Sequence, residues 1–141
     1  MIFYLDTSAL VKLYVPEPES GGVQTLVESA HLTAVSLLAF VEARAAFARK
    51  RRERAVNPKD YRRIVREFDD DWDHYFVVDV TEPLVKRAAQ LAEKHGLRGY
   101  DAIQLSSAIV LREQSGEAVS FCCFDSRLLR ASRREGLKPA T

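Results

Sequence analysis

Cysteine is almost missing from this chain, and the two that occur, Cys122 and Cys123, are adjacent. Neighbouring side chains in an extended run point to opposite faces, so this pair cannot close on itself without strain, and there is no disulfide framework. Two small buried hydrophobes are the simpler reading. Histidine is scarce as well: His31, His74 and His95 stand apart, without the spacing of metal ligands, and none is near Ser106-Ser107 to make a nucleophilic triad. No charge of one sign dominates. The formal net charge is +1, so any polyanion must be held by local basic patches and not by the field of the whole molecule. The start, MIFYLDTSAL, carries no basic leader, long apolar stretch or small-residue cleavage site, and a cytoplasmic location is the expectation. Repeats, low-complexity tracts and a dividing linker are also lacking. The 141 residues are therefore expected to form one domain, 1–141, with a core large enough to position a site unaided.

What is present is an alternation of short apolar runs and helical patterns. Ile2 to Leu5 is apolar and closes on Asp6-Thr7-Ser8, after which Ala9 to Tyr14 has helical spacing. Pro16 and Pro18 end that helix. A short helix over Ser20 to Ser29 leads to a strand over His31 to Val35, and Ser36 is placed to cap a long helix reaching about Arg54. Asn57-Pro58 signals cap and first-turn proline of a second long helix ending near His74, so the two are expected to pair as a hairpin. A strand over Tyr75 to Val80, a helix from Thr81-Glu82-Pro83 to Gly96, a buried helix over Tyr100 to Gln114 and a strand over Val119 to Phe124 follow. Asp125 to Glu135 is a basic amphipathic helix, and Gly136 to Thr141 has room only for a frayed edge strand. Apolar strands separated by helices imply an α/β fold, a three-layer α/β/α sandwich with a central parallel sheet of four to five strands.

In an open parallel sheet, functional groups gather beyond the carboxyl ends of the strands. Asp6 follows the first strand, Asp125 follows the last long one, and Asp101 opens the buried helix after Gly99-Tyr100. Singly, each has an ordinary explanation as a helix cap. Glu42 is harder to explain away: spacing puts it on or beside the apolar stripe of its helix, where glutamate is rare unless its charge is satisfied. Four converging carboxylates would repel one another, and a cation removes that penalty. Oxygen ligands without histidine or cysteine favour magnesium, with manganese as a substitute, over zinc. Such an ion suits attack of water on a phosphodiester.

The motifs are then specific enough to name. Leu5-Asp6-Thr7-Ser8-Ala9-Leu10 resembles the opening motif of PIN-domain nucleases, Glu42 stands in the place of their second acid, Gly99-Tyr100-Asp101-Ala102 resembles the third and Phe124-Asp125-Ser126-Arg127-Leu128 the fourth. Order, spacing and length resemble the VapC toxins of toxin-antitoxin pairs. The resemblance implies that Asp6, Glu42, Asp101 and Asp125 are catalytic and bind the metal, supported by Thr7, Ser8 and Ser126. It also implies endonucleolytic cleavage of RNA, a small cognate antitoxin as partner, and a homodimer. The short end of the chain departs from the family's usual last strand. A standalone PIN nuclease acting in RNA maturation, or a non-catalytic PIN-like binding module, are the alternatives. A receiver or aspartyl phosphatase using Asp6 would want a second acid beside it or two residues on, and Ser8 fills the latter place.

Arg98, Arg127 and Arg130 are candidate RNA contacts, the last two because their helix begins at Asp125. The cluster Arg49 to Arg54 suits the negative end of a helix, and Asp69, Asp70, Asp71 and Asp73 fan around theirs as a solvated face. Trp72, Tyr75 and Phe76 read as packing residues. The helical hairpin over 36–74 is the expected surface for dimer or antitoxin.

Overall fold

Strand β1 (Ile2–Leu5) is buried at every position and takes the centre of the sheet because both of its edges are paired. The computed structural model describes residues 1–140, so Thr141 lies outside the described residues. After β1 come α1 (Thr7–Val11), α2 (Ser20–Ser29), β2 (Leu32–Ser36), α3 (Leu38–Arg52), α4 (Pro58–Trp72) and β3 (Phe76–Val78). The chain then forms α5 (Glu82–His95), α6 (Gly99–Ser115), β4 (Val119–Cys122), α7 (Ser126–Arg134) and β5 (Lys138–Pro139). The sheet order is β3-β2-β1-β4-β5, with every pairing parallel. The chain thus winds outward from β1 first to one side and then to the other, and the crevice at that reversal opens beyond the carboxyl end of β1.

Because successive strand residues face opposite ways, the sheet separates two cores. Ile2, Tyr4, Ala34, Phe121 and Cys123 join the face covered by α5, α6 and α7. Leu5, Val35 and Cys122 join the face covered by α1, α2, α3 and α4. The adjacent cysteines are free and buried, one in each core, as alternation requires. Among the described residues no helix is long and apolar enough to cross a membrane.

The three-layer parallel sandwich agrees with the sequence expectation, including the helical hairpin of α3 and α4. Its apolar seam is aromatic: Phe68 has Tyr14 and Phe47 edge-on at 5.4 Å, with Phe40 and Trp72 at 5.4 and 5.6 Å. Tyr75 joins at the rim, hydrogen-bonded to Tyr14, whereas Phe76 is exposed, contrary to the packing role expected of it. Ser36 is another correction. It is the last residue of β2 and fully buried, and the cap position of α3 is Leu37, although the Ser36 hydroxyl still accepts from the Leu38 N–H at 3.2 Å. Parallel pairing of Ser36 with Val78 holds it in the sheet, which outweighs its capping preference. The chain end does form an edge strand, two residues long, and β5 pairs with β4 at Ser120 and Phe121.

His95 proves to be a structural residue: its buried ring bonds Glu135 at 2.7 Å, and Lys94 meets the same carboxylate oxygen at 2.7 Å, joining the end of α5 to the end of α7.

Two outcomes follow for stability. Phe68→Ala should cost about 3–5 kcal/mol, the range for emptying an aromatic site in a packed core, read as a lower midpoint in urea unfolding; a loss under about 1 kcal/mol would show that the ring cluster does not hold the hairpin. The Lys94 ammonium, first, and His95 hold the Glu135 carboxyl below its ordinary value. A lowered folded-state value contributes stability that is present above the unfolded value and lost as pH falls through the folded one. Wild type should therefore lose more stability than Glu135→Gln on acidification below about pH 4.5, and parallel acid unfolding curves would refute this linkage.

Candidate functional site

Each acid reaches the site through a local rule of chain geometry. Asp6 follows the last residue of β1 and caps α1: its Oδ1 accepts from the Ala9 N–H at 2.9 Å and from the Ser8 hydroxyl at 2.7 Å. Its own N–H continues the sheet by donating to Cys122 O at 3.1 Å. Asp125, beyond β4, caps α7 in the same way, with Oδ1 accepting from the Leu128 N–H at 2.9 Å. These carboxylates do cap helices, as the ordinary explanation required, and they also line the site.

Asp101 is not a cap. The cap position of α6 is Arg98, and Asp101 sits in the first turn, where a negative charge suits the helix dipole. Glu42, on α3, is half-buried and accepts from the Thr7 hydroxyl at 2.7 Å. These positions converge. Asp6, Glu42, Asp101 and Asp125 line one cleft of about 280 Å³ with Thr7, Ser8, Arg98, Gln104 and Phe124.

Four carboxylates there face a single guanidinium, that of Arg98, whose Nε lies 3.4 Å from Asp101 Oδ2. Asp6 is the most deeply placed, only 5% exposed. Burial pushes its carboxyl up to about 7, against the pull of the Ser8 hydroxyl and the Ala9 N–H, and the charges of Asp101 and Glu42 push the same way. A cation in this cleft would relieve both burdens, and the donors on offer are all oxygens, which suits magnesium or manganese. Among the described residues, no three acidic, histidine or cysteine side chains already close around one point as a finished ligand cage. Magnesium tolerates that arrangement, since it keeps several of its waters and is held by one or two carboxylates together with phosphate oxygens.

Of the remaining expected residues, Thr7 and Ser8 line the cleft and Ser126 does not. Arg98 lines it, whereas Arg127 is turned back to donate to Gly96 O at 3.1 Å, and Arg130 is exposed outside the lining. Arg127 is thus tied to the end of α5, a contact that helix amphipathicity could not reveal. Two features escaped the sequence reading altogether. Gln104 is the only amide in the apolar stretch Ala102 to Leu111, yet it is buried at the floor of the cleft. Lys12 places its ammonium 4.8 Å from the centre of the half-exposed Phe124 ring, at the rim.

An open parallel α/β domain with an all-oxygen acidic cleft at its winding reversal is therefore the class that fold and site define. Within it, this chain belongs to the PIN domain family, whose sequence model matches residues 3–133. It is 30% identical over 139 residues to Ribonuclease VapC45 of Mycobacterium tuberculosis (strain CDC 1551 / Oshkosh), covering 99% of this chain and 94% of that protein. Among solved structures it is similar to PAE2754 from Pyrobaculum aerophilum, with a TM-score of 0.67 and 21% identity over 99% of this chain and 84% of that one. It is also similar to VapBC2 from Rickettsia felis bound to a DNA fragment from their promoter, with a TM-score of 0.64 and 16% identity over 99% of this chain and 97% of that one.

The buried charge has a measurable cost. Asparagine keeps the Ala9 cap but carries no charge, so in EDTA at pH 8 Asp6→Asn should be more stable than wild type by on the order of 1 kcal/mol or more. A variant that melts at or below the wild-type temperature would show that Asp6 is comfortable as an anion without a cation.

Proposed function

We propose that this PIN domain is a magnesium-dependent endoribonuclease and the toxin of a toxin-antitoxin pair, with Asp6, Glu42, Asp101 and Asp125 as its metal-binding and catalytic residues. The observation that carries the reading is a single cleft lined by four carboxylates drawn from four separate parts of the chain. The full-length similarity to a protein named Ribonuclease VapC45 supports the substrate.

A bound divalent ion would supply a lowered water pKa and neutralise charge gathering on the phosphate. The protein's own groups do the rest. Asp6, with Oδ1 already committed to Ser8 and Ala9, has Oδ2 left for the cleft. Thr7 orients Glu42 through its hydroxyl. Asp101 and Asp125 complete the negative lining from the other side of the winding reversal. Arg98, 83% exposed along its side chain, is free to exchange Asp101 for an RNA phosphate.

Inhibition in this reading comes from a small cognate antitoxin. The partner surface is the α3 side of the hairpin. There a groove of about 880 Å³ runs past Leu38, Val41 and Ala45 to Arg49 and Arg52, lined also by Glu42 and Tyr100, and Val41 and Tyr100 are exposed along it. This side serves either homodimer or antitoxin. A cytoplasmic site of action follows from an RNA target and an antitoxin partner.

Incubation with mixed RNA tests the reading. Wild type with magnesium should cleave internally, EDTA should stop cleavage, and Asp6→Asn should lose more than the roughly 10–100-fold that outer-sphere metal partners typically cost. Equal cleavage by wild type and Asp6→Asn would defeat the assignment.

A further inference from the structure

The floor of the acid cleft is a side-chain relay whose polarity is set by elementary donor and acceptor rules. An ionised Glu42 can only accept hydrogen bonds, so the amide of Gln104 must turn its NH₂ toward it. Gln104 Nε2 indeed lies 3.0 Å from Glu42 Oε1 and 3.1 Å from Thr7 Oγ1. The amide carbonyl is thereby directed the opposite way, where it accepts from the Tyr4 hydroxyl at 2.6 Å. Thr7, having accepted from the amide, donates its own hydroxyl hydrogen bond to the same Glu42 Oε1 at 2.7 Å. Both protein donors thus converge on one oxygen of Glu42, and neither touches Oε2. Gln104 is 3% exposed, and Tyr4 is fully buried beneath it with its ring stacked on Phe121. The Tyr4 and Gln104 end of the relay is therefore held inside the packed interior, and its Thr7 and Glu42 end opens onto the cleft.

We propose that Gln104 is a positioning residue that pins Oε1 of Glu42 to the protein and leaves Oε2 as the oxygen presented to a divalent cation, with Tyr4 fixing the direction of the amide. The proposal rests on the reading of the cleft as a metal site. An amide suits this task, because it carries a donor and an acceptor on one planar group. A carboxylate in its place would set like charges against each other, and a thioether of similar volume would leave both Tyr4 and Glu42 short of a partner. Tyr4 does not line the cleft, and its hydrogen bond to the Gln104 carbonyl links its hydroxyl to the lining.

The measurement is Mn²⁺ affinity of the whole chain without RNA, by calorimetry and by the rise of melting temperature with Mn²⁺. Gln104→Met should weaken Mn²⁺ binding about 10–100-fold, the usual cost of losing an outer-sphere partner. Tyr4→Phe, which keeps the ring stack, should weaken it about 3-fold, the worth of one ordinary hydrogen bond. In RNA cleavage both should lower kcat at saturating magnesium with little change in KM. Wild-type Mn²⁺ affinity in Gln104→Met overturns the proposal. Should that variant not fold, wild-type affinity in Tyr4→Phe overturns it instead. A wild-type protein that ignores Mn²⁺ would sink the metal-site reading and this relay together, whereas a responsive wild type with equally responsive variants would sink the relay alone.

Discussion

The structure turns on one carboxylate that cannot be comfortable where it is. Asp6 stands at the carboxyl end of the central strand, flanked by paired strands on both sides and nearly sealed from water. Its Oδ1 is satisfied by local groups, and the remaining charge faces other carboxylates. Burial of this kind penalises the charged form, and it persists because the surrounding fold compels it. The parallel sheet supplies the compulsion. Because β1 is central and the chain winds away from it in both directions, residues just past β1, β2 and β4 have nowhere to go but the common crevice.

The same economy explains how a small domain assembles its site from short motifs. Asp6 and Asp125 each fix the start of a helix and contribute a carboxylate, so a helix cap and a cleft wall are the same atoms viewed from two sides. Glu42 and Asp101 come instead from within helical turns, and they depend on packing for their direction. The amide of Gln104 and the hydroxyl of Thr7 provide it for Glu42.

This difference decides what could be read from the sequence. Strand-then-acid motifs announce Asp6 and Asp125, and apolar runs between helical patterns announce the sandwich, because both rest on local periodicity and capping. Glu42 was visible as an acid on the wrong side of a stripe. Gln104 was not, since one polar side chain in an apolar helix gives no hint that a tyrosine one hundred positions earlier will reach its carbonyl. Ser36 misled for a related reason: its capping preference is real, but the sheet register claims its backbone first. Phe76 shows the limit from the other direction, where residue type suggests packing and the fold leaves the ring exposed, while Arg127 makes a contact to Gly96 O that no helix face announces.

The paired cysteines carry a practical corollary. Cys122 and Cys123 sit on opposite sides of the sheet, and burial, with the nearby Asp6 charge adding to it, pushes both thiols up to about 12. Thiolates are the reactive species, so at neutral pH neither side chain competes for an alkylating reagent while the protein is folded. A cysteine introduced at an exposed position such as Arg130 would be the sole attachment point for a fluorophore or spin label, with the natural pair left in place as a built-in reporter of unfolding.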